Sequence, residues 1–187
     1  MELLFLSLEL VSVAVGAGSA FIFDTFFTLS LKDHKIQPHE ERMLSRISLF
    51  SIISASLGLL VYTFILALQL ESGMIGALDI AFAKIFLFAI ALLTALTLRK
   101  IHLKTLLRYQ KTHFHLSLTF GKHDDSIVST AVFSTLSWIF LITLTALEQY
   151  KIAEDISVSI FGVTLAYILI GLVGSRIALY FKNTHLS

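Results

Sequence analysis

The sequence predicts an all-α membrane protein, a bundle of five transmembrane helices. Hydrophobic residues make up 56% of the 187 residues and charged residues 14%, whereas soluble domains are about half apolar and about a quarter charged. The mean hydropathy of +0.85 agrees with this difference. The apolar runs are continuous and the chain contains one proline, while the strands of a membrane barrel would alternate between apolar and polar residues. Helices are therefore favoured over a barrel.

Five apolar segments are long enough to cross a bilayer, which takes about 20 residues. They lie at residues 3–31, 44–70, 75–98, 126–147 and 156–181, within one transmembrane domain that occupies residues 1–187. No basic residue precedes the first segment, so we expect no cleaved signal peptide.

The connections between these segments also predict local structure. Pro38 is followed by Glu40 and Glu41, which is typical of a first helical turn because proline tolerates that position and acids complement the helix dipole. Residues 71–73 are a short link that predicts an antiparallel hairpin of the second and third helices. Leucines and basic residues alternate in the early part of segment 99–125. That pattern fits a helix lying on the lipid headgroups, and a helix projecting into the cytosol fits it equally well.

Basic residues predict the orientation of the chain. They cluster on one side of the predicted membrane, where we find Lys32, Lys35, Arg42, Arg46, Arg99, Lys100, Lys104, Arg108, Lys111, Lys122 and Lys182. The opposite side has only Lys151. The positive-inside rule then predicts an outside N-terminus and a cytoplasmic C-terminus, which agrees with an odd number of spans. We expect an integral membrane protein.

Four charged residues lie deep inside the predicted spans, away from their ends: Glu9, Asp24, Lys84 and Arg176. A charge at the centre of a membrane helix is unfavourable by about 2.5–3.5 kcal/mol, so such residues usually face a bundle interior and are paired. Their heights predict a Glu9–Lys84 pair near the outer side and an Asp24–Arg176 pair near the inner side, with Arg46 as a competitor for Asp24. These pairs either only fix which helices are neighbours or line a polar path or ligand pocket.

Small and hydroxyl residues predict helix contacts. Gly16 and Gly18 on the first helix, and Gly171 and Gly174 on the fifth, allow close approach, so we expect these two helices to pack together. Serines and threonines form stripes on the second and fourth helices that include Ser51 and Ser134. Either stripe fits helix packing or the border of a hydrated path.

The histidines leave metal or haem binding open. All seven lie on the predicted cytoplasmic side and none in the middle of a span, where the axial ligands of a membrane cytochrome would normally be. His113, His115, His123 and Asp124 are residue types that bind zinc or similar divalent ions. The absence of cysteine excludes disulfides and thiolate metal sites. The sequence predicts no particular cofactor, and solvated histidines without a ligand fit it as well.

The glycine pair Gly16 and Gly18, the following Asp24, the basic loop and the serine-rich second helix carry a resemblance to a family. Roughly residues 1 to 65 resemble small bacterial multi-span membrane proteins that are similar to the membrane domain of copper-resistance D proteins. The resemblance implies a helical bundle in a bacterial inner membrane. Copper handling is not implied, because the interior lacks histidine and methionine ligands.

Three functional hypotheses follow. The first is movement of an ion or small solute through an interior lined by Glu9, Asp24, Lys84 and Arg176. The second is a non-catalytic accessory or assembly subunit of a larger membrane complex, and the third is a haem- or metal-binding redox protein. The sequence shows no nucleophile with a base and an acid, so it does not indicate an enzyme, although an acid–base site at Glu9 or Asp24 stays open. Expected partners are the lipid bilayer and a homo-oligomer or larger complex, but not nucleic acid.

Overall fold

Five long helices make up the computed structural model, which describes residues 2–32, 38–72, 78–103, 123–149 and 160–185. They are α1 (Glu2–Lys32), α2 (Pro38–Ser72), α3 (Leu78–Thr97), α4 (His123–Gln149) and α5 (Ile160–His185). A π-helical segment, Leu98–Leu103, directly continues α3. Each of the five helices contains a stretch long and apolar enough to cross a membrane. The predicted helical membrane bundle is therefore confirmed.

The helix ends agree with the local sequence signals where the structure describes them. Helix α2 begins at Pro38 and has Glu40 and Glu41 in its first turn, as predicted. Residues 75–77 and 156–159 of the predicted spans, and residues 104–122 of the basic connection, lie outside the described residues. The interfacial helix expected in that connection therefore stays a prediction for the residues after Leu103.

Helices α1 to α4 form a closed ring. Each packs against the next in chain order, and α4 packs back against α1. Helix α5 lies outside this ring, against α4 and to a smaller extent α3. The expectation that the first and fifth helices pack together is wrong, because α4 lies between them in the described bundle.

The centre of the ring is filled by aromatic and aliphatic side chains. Trp138 of α4 is 0% exposed, and Phe88 of α3 meets it edge-on with ring centroids 6.1 Å apart. Leu87 and Leu141 are also fully buried in this core. Edge-on aromatic pairs are favourable beyond the area that they bury, so this layer is a packed hydrophobic core.

Glycines provide the space for these large rings. A Cβ atom on Gly16 would lie 2.0 Å from the Trp138 ring, and one on Gly58 would lie 2.2 Å from the Phe88 ring. On α5, a Cβ atom on Gly171 would lie 2.2 Å from the ring of Phe133 in α4. The small-residue faces of α1 and α5 are thus close-approach surfaces as predicted, but both of them contact α4.

The glycine contacts predict a stability difference between two substitutions on one helix. Gly16→Ala should lower the free energy of unfolding by about 1–3 kcal/mol, since the added methyl group overlaps the Trp138 ring and forces neighbouring groups to shift. Thermal unfolding of the purified protein in mild detergent measures this change.

Gly18→Ala is the matched control, because a Cβ atom there has no neighbour within 4 Å. Alanine is preferred over glycine in helices, so this variant should be as stable as the parent or slightly more so. Equal melting temperatures for the two variants would contradict the described contact between Gly16 and Trp138.

Candidate functional site

Near one end of the ring, each of the four ring helices contributes a polar side chain to one buried cluster. The members are Glu9 of α1, Tyr62 of α2, Lys84 of α3, and Thr145 and Glu148 of α4. We call these five residues the lysine cluster. Adjacent helices of the ring run in opposite directions, so the start of α1 and the end of α4 meet at this end.

Lys84 is the centre of the cluster and is 0% exposed. Its Nζ donates to Glu9 Oε1 over 2.6 Å, to the Tyr62 hydroxyl over 2.5 Å, and to Glu148 Oε2. A lysine ammonium has three donor hydrogens, so every one of them has an acceptor. The Tyr62 ring also lies beside the ammonium, with Nζ 4.7 Å from its centroid.

The predicted Glu9–Lys84 pair is confirmed. Glu9 is 3% exposed, and the same Oε1 that contacts Lys84 also accepts a hydrogen bond of 2.7 Å from the Thr145 hydroxyl. Desolvating two charges is costly, and a buried ion pair offsets this only when hydrogen bonds satisfy the remaining polar atoms. Thr145 and Tyr62 provide such bonds here.

Glu148 connects the cluster to the surface. Its side chain is 42% exposed, and its Oε2 accepts from Lys84 and, over 3.4 Å, from the Tyr62 hydroxyl. The chain of contacts from Glu9 through Lys84 to Glu148 thus runs continuously from a buried carboxylate to an exposed one. Glu148 thus joins the buried Glu9–Lys84 pair to the exposed surface by direct polar contacts.

The charge balance of the cluster matters for its chemistry. Two carboxylates face one ammonium, so full ionisation leaves one negative charge that Lys84 does not compensate. The Glu148 side chain is 42% exposed, so one of the two carboxylates is accessible from the surface.

Sequence reasoning found Glu9 and Lys84 but missed Tyr62, Thr145 and Glu148. Tyr62 and Thr145 carry no formal charge, and Glu148 lies at the end of its span, where an acid is ordinary. One signal was present for Glu148. In an antiparallel ring the end of α4 lies at the height of Glu9, so this acid was within reach of the pair.

A second polar site lies toward the other end of α1. Asp24 Oδ2 accepts a hydrogen bond of 2.5 Å from the Thr135 hydroxyl of α4. Ser48 and Ser51 of α2 and Ser134 of α4 line a cavity of about 10 Å³ together with Asp24, which is room for about one water molecule. The predicted secondary residues Ser51 and Ser134 thus lie beside Asp24, and we call this group the aspartate site.

The expected Asp24–Arg176 pair is wrong. Among the side chains that the structure describes, the ion pairs within 4.0 Å are those of Lys84 with Glu9 and Glu148. Arg176 and the alternative partner Arg46 are both exposed side chains. Because α4 separates α1 from α5, a hydroxyl of α4 occupies the position expected for the arginine. Arg176 therefore does not belong to the described polar interior.

The core layer of Trp138 and Phe88 separates the two sites. Glu9 and Asp24 lie about 22 Å apart along α1 at a rise of 1.5 Å per residue, and Gly16, which contacts Trp138, lies about midway. The indole Nε1 of Trp138 is buried without an acceptor among the described groups. Two polar sites at different heights, with an aromatic layer between them, are the main chemical features of the interior.

The suggested metal-binding residues lie outside the side chains that the structure describes. They are His113, His115, His123 and Asp124. Within the described set, no three histidine, aspartate or glutamate side chains gather as a metal site would require.

Comparisons of the chain with models of protein families, with curated proteins and with solved structures found no match. The resemblance to copper-resistance D membrane domains thus stays a prediction.

The lysine cluster predicts a strongly unfavourable single substitution. Lys84→Met should lower the free energy of unfolding by about 3–5 kcal/mol, because it leaves buried Glu9 without its cation. Adding Glu9→Gln to this variant should restore part of the loss, since the uncompensated carboxylate is then removed. Thermal unfolding of the parent, of Lys84→Met, of Glu9→Gln and of the double variant measures the coupling.

Arg176→Met is the comparison that separates the described arrangement from the sequence-based one. Exposed side chains away from structural contacts change stability within about 0.5 kcal/mol, so this variant should resemble the parent. A loss as large as that of Lys84→Met would mean that Arg176, too, compensates a buried charge.

Proposed function

We propose that this protein moves a small ion, with the proton as the best-fitting species, across a membrane by way of the lysine cluster and the aspartate site. The observation that carries the proposal is Lys84, fully buried between carboxylates from two other helices. Ionisable side chains inside a membrane are rare and commonly mark ion paths or proton relays. The polar contacts that link Glu9 to exposed Glu148 supply an entrance.

The size of the interior favours a proton over a bulkier solute. The cavity at Asp24 has a volume of about 10 Å³, and the groups of the lysine cluster are in direct hydrogen-bond contact with one another. A proton passes between such groups by exchange along hydrogen bonds. A larger solute would have to displace contacts on all four helices of the ring.

The aromatic layer imposes a further requirement on this function. Trp138 and Phe88 fill the ring between the two sites, so charge passing from one site to the other requires a rearrangement of these side chains or of the helices behind them. Access to the lysine cluster and to the aspartate site would then alternate. The aromatic layer is the barrier in this scheme.

The orientation is part of the proposal. Basic residues cluster at the end of the bundle that contains Asp24, as Arg42, Arg46, Arg99 and Lys100 illustrate. By the positive-inside rule that end is cytoplasmic, and Glu148 lies on the outer side. The membrane would be a bacterial inner membrane, as the resemblance implies.

The ion-transport proposal predicts loss of flux on neutralisation of either site. In liposomes that contain a pH-sensitive dye, the parent protein should dissipate an imposed proton gradient, and Glu9→Gln and Asp24→Asn should reduce the rate at least ten-fold. Both substitutions keep the size of the side chain while removing the exchangeable charge.

Thr143→Val is a matched control, because Thr143 is exposed on α4 and donates to the carbonyl of Ile139 in its own helix. It should leave the flux unchanged. Circular dichroism and gel filtration establish that each variant is folded. Folded Glu9→Gln and Asp24→Asn variants with parental flux would refute proton transport through these sites, as would a parent protein with no flux above empty liposomes.

The packed core favours one alternative, a non-catalytic subunit of a larger membrane complex. Gly16 and Gly58 allow Trp138 and Phe88 to fill the middle of the ring, which is also the interior that a structural subunit needs. The lysine cluster would then fix which helices are neighbours.

Purification from native membranes in mild detergent discriminates between the two functions. The ion-transport proposal predicts that the chain elutes alone or as a homo-oligomer and retains flux. Stoichiometric recovery of another membrane protein, together with absence of flux from the isolated chain, would support the accessory function. Mass spectrometry of the eluted complex is the measurement.

A further inference from the structure

A groove lies on the membrane-facing side of the bundle, between α3 and α5, with α4 as its floor. Its volume is about 500 Å³. It exists because α5 packs mainly on α4 and only slightly on α3. Its lining comprises Phe86, Ile90, Leu93, Thr94 and Thr97 of α3, Ser126, Ser129, Thr130 and Phe133 of α4, and Tyr167 and Ile168 of α5. All of these residues belong to the apolar stretches that are able to span a membrane.

The dimensions of the groove match a slender occupant. From Phe86 to Thr97 it extends about 16 Å along α3 at a rise of 1.5 Å per residue. A single hydrocarbon chain extended along α3 fits this length and the groove volume of about 500 Å³.

Three of the hydroxyl groups in the groove already have an acceptor within their own helices. Thr94 donates to the carbonyls of Ile90 and Ala91, and Thr97 donates to Leu93 O over 2.8 Å. Thr130 donates to Ser126 O over 2.7 Å. Because these threonines bond to their own helices, they present methyl groups to the groove. The groove therefore favours an apolar occupant.

Basic residues lie just beyond one end of the groove. Arg99 and Lys100 follow Thr97 in the π-helical continuation of α3, and the Lys100 side chain is exposed. Asp124 and Asp125 occur at the start of α4 in the sequence, so at this end α4 contributes acids and α3 contributes basic residues. A phosphate group on a chain lying in the groove would lie near the basic residues of α3.

We propose that the groove binds one acyl chain of a membrane phospholipid, with the lipid phosphate at Arg99 and Lys100. The length of the groove, its mostly apolar lining and the basic residues at its end all point to this one occupant. The site lies on the outside of the ring and is independent of the lysine cluster and of ion transport. Bound lipid would fill the space between α3 and α5 and hold α5 at its edge.

Filling the groove with protein atoms tests the proposal. The protein is purified in mild detergent, mixed with phosphatidylglycerol, phosphatidylethanolamine or phosphatidylcholine, and examined by native mass spectrometry. The parent should carry one tightly bound phospholipid. Thr130→Phe should reduce the bound fraction at least five-fold, because the ring occupies the groove, and Ser129→Phe provides a second variant should the first not fold.

Thr143→Phe is the matched control on the same helix. Thr143, like Thr130, donates to the carbonyl four residues earlier, but it does not belong to the groove lining. This variant should bind lipid as the parent does. Arg99→Gln and Lys100→Gln should each weaken binding of phosphatidylglycerol about five-fold, the usual effect of one basic residue near anionic lipid.

Several outcomes would overturn the proposal. A parent protein without stoichiometric lipid would do so, as would equal lipid retention in the folded Thr130→Phe and Thr143→Phe variants. Recovery of a dimer or of a partner protein whose association is lost in Thr130→Phe would assign the groove to a protein instead. This test measures bound lipid and not ion flux, so its result is independent of the ion-transport proposal.

Discussion

The ammonium of Lys84 is the group on which the arrangement of the helix ring depends. A fully buried lysine in an apolar bundle needs acceptors for all three of its hydrogens, and these come from α1, α2 and α4. Moving any of those helices away from α3 would leave a donor of Lys84 unpaired, and moving α1 or α4 would also separate a carboxylate from it. A buried polar group without a partner costs more than an ordinary hydrogen bond contributes. The cluster therefore specifies the neighbours of α3, whatever its net effect on stability is.

That net effect is not evidence for the function by itself. Replacing a buried ion pair by apolar residues of similar volume is often neutral or stabilising, so a bundle of this size does not need charges in order to fold. The lysine cluster also has more acids than bases, and one of the acids is 42% exposed. In the ion-transport proposal, the additional carboxylate and its access to the surface are the features that would allow a charge to be exchanged.

The sequence predicted the helical fold and one of the two charged pairs expected in the interior, and the reason is geometric. Length and hydropathy determine that helices span a membrane, and position along a span determines the height of a charge, which was enough for Glu9 and Lys84. Height does not determine the direction in which a side chain points around its helix. Arg176 has the correct height for Asp24 but lies on an exposed face of a helix that α4 separates from α1. Tyr62 and Thr145 are uncharged, so no rule about buried charges could have identified them.

The position of α5 follows from the completeness of the four-helix ring. Both polar sites are built from the four ring helices, so α5 contributes nothing to them among the described side chains. Its polar link is instead to α4, where the Tyr167 hydroxyl lies 2.9 Å from Ser137 Oγ and donates to Phe133 O over 3.0 Å. With Gly171 against Phe133, these contacts fix α5 on one side of α4 and leave α3 only partly covered. The apolar groove is the consequence of that one-sided attachment, and it lies outside the ring of helices that encloses the charged interior.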